Sequence, residues 1–158
     1  MAKNQTLKIT EMDRYLFGQG THYEIYKLMG AHPTKQKGKD GVYFAVWAPR
    51  AQEVAVVGDF NGWDPNENIM KCDNDMGIYQ LFIPGVKSGD LYKFCITSPS
   101  GELLYKADPY ANYAEKRPGN ASRVYDITNF KWNDSVWMKN RQNYDVNKNA
   151  MSIYEVHP

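Results

Sequence analysis

Six short segments rich in β-branched and aromatic residues constrain the fold of this chain more than any other feature. Gly, Pro, Asn, Asp or Ser residues separate them, and their spacing of roughly ten to fifteen residues is typical of an antiparallel β-sandwich. The predicted strands are 42–48, 53–58, 78–83, 91–96, 103–107 and 123–127. The sequence therefore predicts a mostly-β fold with two packed antiparallel sheets.

Two helix-start signals precede the strands. Thr10 with Asp13 and Thr21 with Glu24 each place an N-cap residue three positions before a carboxylate, which is the pattern of a capping box. Apolar residues follow each pair at helical spacing, and glycine follows them. The sequence predicts two short helices here, and then an exposed loop at 33–41.

The last thirty residues differ in composition from the sandwich. Residues 129–150 are polar with scattered aromatics, and we interpret them as a linker that packs through Trp132 and Trp137. The final stretch, "MSIYEVHP", has a strand pattern with no strand after it to pair with. The predicted organisation is a helical N-terminal extension at 1–38, the sandwich at 39–128, the linker at 129–150 and the beginning of another domain at 151–158.

Charge and hydropathy exclude several classes of function. Lys and Arg number 19 against 18 Asp and Glu, so the net charge is only +1. That balance argues against a nucleic-acid partner and against attraction to a membrane surface. The sequence has no signal-peptide pattern and no apolar run of membrane-spanning length, and it predicts a cytoplasmic protein. Cys72 and Cys95 are predicted to be thiols, because nothing suggests a disulfide framework.

Catalytic and metal sites are not predicted. His22, His32 and His157 lie in different segments, and no Ser or Cys stands beside one in a recognisable motif. The "DNDMG" stretch at 73–77 lacks the glycine spacing and distal glutamate of an EF-hand, so we interpret it as a solvated turn. No cofactor is expected.

Trp63 is the strongest local signal, because it stands among turn-forming residues in "VVGDFNGWDP" at 56–65. On one interpretation its indole folds back over the edge of the sandwich. On the other it is an exposed aromatic platform that stacks on the apolar C–H faces of a sugar, while polar groups nearby bond the hydroxyls. The polar groups available for this are those of Asp59, Asn61, Lys93 and Tyr105.

Several motifs together resemble a known family. They are "GDFNGWD" at 58–64, "LYKF" at 91–94, "ADPYA" at 107–111 and "RPG" at 117–119. This set resembles the family-48 carbohydrate-binding module, which is an immunoglobulin-like sandwich. In addition, 15–33 resembles the helical lead-in of bacterial-type glycogen branching enzymes, and "SIYEVHP" at 152–158 resembles the first strand of their catalytic (β/α)8 barrel.

The resemblance implies an accessory role in glycogen biosynthesis. Branching enzymes cut an α-1,4-glucan chain and rejoin it through an α-1,6 bond by retaining chemistry on carboxylates of later barrel strands. Those strands are not in this sequence, so the chain alone is expected to have no transferase activity. The implied partners are glycogen, maltooligosaccharides and the catalytic barrel of the same parent chain.

The resemblance also implies a sugar site. Trp63 matches the platform tryptophan of kinase-type glycogen modules, and Lys93 matches their lysine. Where those modules have a second tryptophan, this chain has Leu103 and Leu104, with Tyr105 just beyond. Those modules also have an asparagine in a "T-x-N-N" motif. The resemblance implies that Asn120 or Ser122 takes its place in this chain.

Three hypotheses stay open at this point. The module contributes a weak glucan contact through Trp63 and Lys93, helped by Asn61 and Tyr105. Alternatively it is a structural module that docks on the barrel. In the third hypothesis it is a free-standing glycogen-sensing module, like the β subunit of AMP-activated protein kinase.

Overall fold

The computed structural model describes residues 7–72, 76–145 and 147–157. The chain forms two compact units, Met1–Ile127 and Thr128–Pro158. The predicted turn at 73–77 lies mostly outside the described residues, as do the start of the N-terminal extension and Pro158.

In the described part of the first unit, eight antiparallel strands form the fold. They are β1 Gly30–Gln36, β2 Lys39–Trp47, β3 Glu53–Gly58, β4 Lys71–Cys72, β5 Ile78–Pro84, β6 Leu91–Thr97, β7 Leu103–Lys106 and β8 Ser122–Arg123. The first sheet has the order β1-β2-β5-β4, and the second has the order β3-β6-β7, with β8 also paired to β6. The predicted mostly-β antiparallel fold is confirmed. Five of the six predicted strands are present, but the sixth, predicted at 123–127, is reduced to the two-residue strand β8, and residues 124–127 have no regular secondary structure.

The loop predicted at 33–41 is wrong, because most of it belongs to a β-hairpin. β1 pairs with β2 from Gly30 opposite Ala45 to Gln36 opposite Lys39. Lys37 and Gly38 connect the strands with positive φ angles of 49° and 78°, as a two-residue hairpin turn of the primed type requires. The strand was missed because β1 is a polar edge strand and contains a proline, which an edge strand tolerates.

The core lies between the two sheets. Val42 and Phe44 of β2 meet Val56 of β3 and Tyr92 and Phe94 of β6 there, and all five are buried. The rings of Phe44 and Tyr92 pack edge-on with their centroids 5.1 Å apart. Side-chain alternation along each strand sends the intervening residues to the outer faces of the sandwich.

The N-terminal extension covers the outer face of the first sheet. Ile9 and Met29 are fully buried there against Tyr43, Ala45 and Ile78. This packing explains the unbroken apolar run in β2, since both faces of that strand are buried.

Helix α1, Glu11–Gly18, is the first of the two predicted helices. Its capping box is formed: the Asp13 amide donates to Thr10 Oγ1 at 3.2 Å, and the Thr10 amide donates to Asp13 Oδ2 at 2.8 Å. His22 lies 2.9 Å from the other Asp13 oxygen and ties the segment after the helix to its first turn.

The second predicted helix is wrong, because the structure has only a 3-10 turn at Ile25–Lys27. Thr21 does not cap it, since its hydroxyl donates back to the Leu16 carbonyl, and Glu24 pairs with Lys27. Continuing the helix would remove Met29 and the start of β1 from the first sheet, so tertiary packing overrides the local signal.

Thr10→Ala is expected to lower the free energy of unfolding by about 1 kcal/mol, because the first turn of α1 loses its N-cap acceptor. Urea titration of the two proteins measures the difference. Thr21→Ala is the matched control, since its hydroxyl makes only a 3.4 Å bond. Equal losses in the two variants would contradict a specific capping contribution from Thr10.

The second unit contains helix α2, Ser135–Arg141, within the stretch predicted as a linker. Trp132 packs edge-on against Phe130 with centroids 4.8 Å apart, and Arg141 lies over the ring of Trp137. The packing of this segment through Trp132 and Trp137 stays a prediction. Residues 151–157 have no regular secondary structure.

Candidate functional site

The outer face of the second sheet gathers most of the side chains that the sequence predicted for a sugar site. In the register of the strands, Ala55 of β3, Cys95 of β6 and Tyr105 of β7 lie side by side, and Val57 lies opposite Lys93. Their neighbours along each strand point into the core, so these five residues share the outward face.

A tight turn after β3 carries Trp63 back over this face. Asn61 shapes the turn with its side-chain amide: Oδ1 accepts from the Gly58 amide at 2.9 Å, and Nδ2 donates to the Val56 carbonyl at 3.0 Å. The Trp63 amide then donates to the Gly58 carbonyl at 3.0 Å. Asn61 was predicted to contact sugar. In the structure its side-chain amide bonds backbone groups of the turn that positions Trp63.

The indole of Trp63 combines both interpretations made from the sequence. It folds back onto a floor of small side chains, Ala55, Val57 and Cys95, and stays partly accessible. Its Nε1 donates to Asp59 Oδ1 at 3.2 Å, and the other Asp59 oxygen accepts from the Leu91 amide at 3.1 Å. The ring orientation is therefore fixed by hydrogen bonding as well as by packing.

The backbone of Trp63 is strained. Its φ of 64° lies in the left-handed region, where a bulky residue is an outlier. Such conformations cost of order 1 kcal/mol or more and cluster at ligand-binding positions, where the surrounding structure enforces them.

Lys93 lies opposite Val57, beside the small side chains on which Trp63 packs. Its Nζ donates a hydrogen bond to Asn120 Oδ1. Of the two residues predicted to stand in for the family asparagine, Asn120 is therefore the one next to the lysine. Ser122 is buried, and its hydroxyl accepts from the Asp108 amide at 2.8 Å. The sequence left the choice between Asn120 and Ser122 open, and the structure places Asn120 beside Lys93.

Tyr105 completes the face on β7. Its ring is 46% exposed, and its hydroxyl reaches the Cys95 thiol. Burial raises the pKa of that thiol, with the Tyr105 bond partly opposing the shift. Burial, Cys95 and the charge of Asp64 together raise the pKa of Tyr105 itself, so the hydroxyl stays protonated and able to donate. Leu103 shares this outward face, and Leu104 points the other way.

A second aromatic surface lies at the end of the sandwich and was missed in the sequence. Trp47 closes β2 with 54% of its surface exposed, and its Nε1 donates to the Met76 carbonyl at 2.9 Å. It lines an open cleft of about 770 Å³ together with Pro49, Arg50, Pro99 and Leu104. The sequence signal for this surface was "WAP" at 47–49, in which a tryptophan ends a strand and a proline follows two residues later.

Two of the three histidines make structural contacts in the described residues. His22 bonds Asp13, and the ring of His32 lies 2.8 Å from the Met29 carbonyl. Within residues 7–72, 76–145 and 147–157, no three His, Cys, Asp or Glu side chains gather as a metal ion would need. No helix among those residues is long and apolar enough to cross a membrane.

A known protein-family model matches the part of the chain that contains this geometry. The family model for carbohydrate-binding module 48, described as the isoamylase N-terminal domain, matches residues 28–111. That stretch contains the whole Trp63 turn together with Lys93 and Tyr105.

Two similar curated proteins share a name. The chain is 58% identical over 154 residues to the 1,4-alpha-glucan branching enzyme GlgB of Butyrivibrio fibrisolvens, covering 98% of this chain and 24% of that protein. It is 53% identical over 148 residues to the enzyme of the same name from Halothermothrix orenii, covering 94% and 24%. The chain thus spans about a quarter of the length of these relatives.

Solved structures also resemble the sandwich. A Salmonella typhimurium protein assigned as an alpha amylase superposes with a TM-score of 0.52 at 26% identity, covering 69% of this chain and 16% of that chain. The maltotriose complex of PulA from Klebsiella pneumoniae superposes with a TM-score of 0.50 at 28% identity, covering 62% and 11%.

Proposed function

Because this chain belongs to the carbohydrate-binding module 48 family and is similar along nearly its whole length to 1,4-alpha-glucan branching enzymes, we propose that the outer face of its second sheet binds an α-1,4-glucan chain. The observation that carries the proposal is the convergence of Trp63, the Lys93–Asn120 pair and Tyr105 on that face. The indole supplies a stacking surface, and the ammonium, amide and phenol groups supply hydrogen bonds to hydroxyls.

The proposed site is weak on its own. One indole face covering one sugar ring removes about 100 Å² of apolar surface from water, which contributes roughly 2.5 kcal/mol. Association costs several kcal/mol in lost freedom, so even with hydrogen bonds from Lys93, Asn120 and Tyr105 we expect an affinity no tighter than millimolar for a short oligosaccharide. Tethering to another glucan site in the same protein would raise the effective concentration and make such a contact useful.

We further propose that the module serves a branching enzyme in glycogen biosynthesis. In this role it holds or aligns a glucan chain for a catalytic barrel elsewhere in the parent, and residues 151–158 would become the first strand of that barrel in the parent chain. The carboxylates that cut the α-1,4 bond and form the α-1,6 branch would lie in the barrel. A cytoplasmic location fits this role and stays a prediction.

Trp63→Ala is expected to weaken binding of glycogen and maltoheptaose at least about tenfold, because the stacking surface is removed. Affinity electrophoresis in glycogen-containing gels and calorimetric titration with maltoheptaose measure the loss. Lys93→Met, which keeps the aliphatic stem and removes the ammonium, is expected to give a smaller loss.

Two other tryptophans are matched controls. Trp137→Ala removes an exposed indole from the second unit and is expected to leave binding unchanged. Trp47→Ala tests the cleft at the end of the sandwich. Equal mobility of the wild type and Trp63→Ala would refute the proposed site, and a loss confined to Trp47→Ala would move the glucan contact to the cleft.

A second candidate function is structural docking on the catalytic barrel without independent glucan binding. It is favoured by the internal use of Asp59 and Asn61, whose polar groups already bond protein atoms, and by Leu103 in place of a second tryptophan. A separately expressed barrel that kept full stability and branching activity would contradict it. The third candidate, a free-standing glycogen sensor, would require a native reading frame that stops at Pro158.

A further inference from the structure

Two tyrosines form an ordered aromatic pair at one edge of the second sheet. The rings of Tyr113 and Tyr125 are nearly parallel, at 25°, with their centroids 5.3 Å apart. The guanidinium of Arg123 lies 6.0 Å from the Tyr113 centroid, and its Nη1 donates to the Gly89 carbonyl at 2.7 Å. Despite this order, 51% of Tyr113 and 45% of Tyr125 are exposed.

The pair lies on the same outward face as Lys93. Arg123 of β8 is opposite Leu91 of β6, two residues from Lys93, and its amide donates to the Tyr113 carbonyl. Ser122 of β8 is buried, so alternation sends Arg123 outward, and Tyr125, which follows the strand, stacks on Tyr113 beside the Arg123 guanidinium. Two residues along a strand span about 7 Å, which puts the β8 edge within reach of a ligand that crosses Lys93.

We propose that this tyrosine pair is an additional subsite for an α-1,4-glucan chain long enough to extend past the Lys93–Asn120 pair from Trp63. The inference rests on the proposed function and adds to it a preference for longer chains. Because the two rings already hold each other, a sugar that stacks on them meets a preorganised surface and little side-chain freedom is lost on binding. Arg123, fixed by Gly89, supplies further donors beside the rings.

The alternative reading is that the stack only stabilises the return of the chain from β7 to β8. A purely stabilising contact predicts that removing one ring changes the unfolding midpoint and leaves the dependence of binding on ligand length unaltered. The two readings therefore differ in a binding ratio, which does not depend on the stability of the variants.

The test is calorimetric titration of the whole chain with maltotriose and with maltoheptaose. Tyr125→Ala and Tyr113→Ala are each expected to weaken maltoheptaose binding about five- to tenfold and to leave maltotriose binding within about twofold of the wild type. Tyr125→Phe keeps the stacked ring and is expected to retain most of the heptaose affinity. Tyr23→Ala, which removes an 86% exposed tyrosine from the N-terminal extension, is the matched control.

The outcomes separate this inference from the proposed function. If Trp63→Ala weakens both ligands while the tyrosine variants leave the ratio of the two affinities unchanged, the tyrosine subsite is refuted and the Trp63 site stands. If Trp63→Ala changes neither affinity, the proposed function itself fails. Tyrosine variants that lose both affinities equally, with Tyr125→Phe no better than Tyr125→Ala, would also overturn the subsite.

Discussion

Gly58→Ala is expected to destabilise the sandwich by about 3 kcal/mol, near the upper end for an overpacked interior. A Cβ at this position would lie 2.2 Å from the Leu91 carbonyl oxygen and 2.7 Å from the ring of Phe60. Gly58 is the last residue of β3, directly opposite Tyr92 of β6. The methyl group would therefore push two paired strands apart beneath the turn that carries Trp63.

The comparison with Gly62→Ala makes the cause testable. Gly62 has a φ of 62°, and a Cβ there would meet nothing within 4 Å. Its substitution costs only the left-handed conformation, roughly 1 kcal/mol. Urea unfolding of both variants should rank Gly58→Ala well above Gly62→Ala. The reverse order would mean that the positive φ of Gly62 matters more for stability than the lack of space at Gly58.

Much of the sandwich could be predicted because strand residues here obey strong local rules. β-branched and aromatic segments bounded by Gly, Pro and Asp gave β2, β3, β5, β6 and β7, and the Thr10–Asp13 pair gave α1. The two missed strands, β1 and β4, are edge strands with mostly polar residues. Their pairing depends on neighbouring strands, which local composition does not encode.

The failed helix after Thr21 has a similar cause. Its apolar residues were identified correctly, since Ile25, Leu28 and Met29 all pack in the cluster beneath the N-terminal extension. Their spacing suits a helix, but the same residues also fit a 3-10 turn leading into an edge strand. For so short a segment the available sheet surface decides between the two.

The part of the candidate site that lies within recognisable motifs could be predicted from the sequence. "GDFNGW" and "LYKF" singled out Trp63 and Lys93, and the structure places both on one sheet face. The role of Asn61 was not predictable, because its amide bonds two backbone groups that only meet in the folded turn. The Lys93–Asn120 bond and the Tyr113–Tyr125 stack form only because a long segment returns to pair with β6. Contacts between residues so far apart in sequence could not be predicted from local patterns.

Asp108→Ala is expected to lower the free energy of unfolding by about 3 kcal/mol. Asp108 is only 6% exposed, and its carboxylate accepts from the Tyr92 hydroxyl at 2.5 Å and from the Tyr110 amide at 2.8 Å. Truncation leaves the buried Tyr92 hydroxyl without this acceptor, and a lost hydrogen bond to a charged group costs about 1.5 to 3 kcal/mol before the desolvation of the partner is added. Tyr92→Phe, which removes the donor and keeps the ring, should cost less if the ring supplies most of the packing.

The pH dependence of Asp108 runs opposite to that of a surface carboxylate. Burial raises its pKa above the usual 3.8, although the bonds from Tyr92 and Tyr110 and the charge of His32 oppose the shift. The folded chain therefore binds the proton more tightly than the unfolded chain does. The stability that Asp108 contributes is fully present below the unfolded pKa and is lost as the pH rises through the folded pKa.

Asp108→Asn isolates this effect, because asparagine has a similar shape and does not titrate. Urea unfolding of both proteins is measured at several pH values from below 3.8 to neutrality, and the difference in free energy of unfolding is taken at each. Groups common to both proteins cancel in that difference. We expect the advantage of the wild type over Asp108→Asn to be largest at the acidic end and to shrink as the pH rises. An advantage that grows with pH would mean that the bonds to Tyr92 and Tyr110 outweigh burial, so that the folded chain prefers the charged carboxylate.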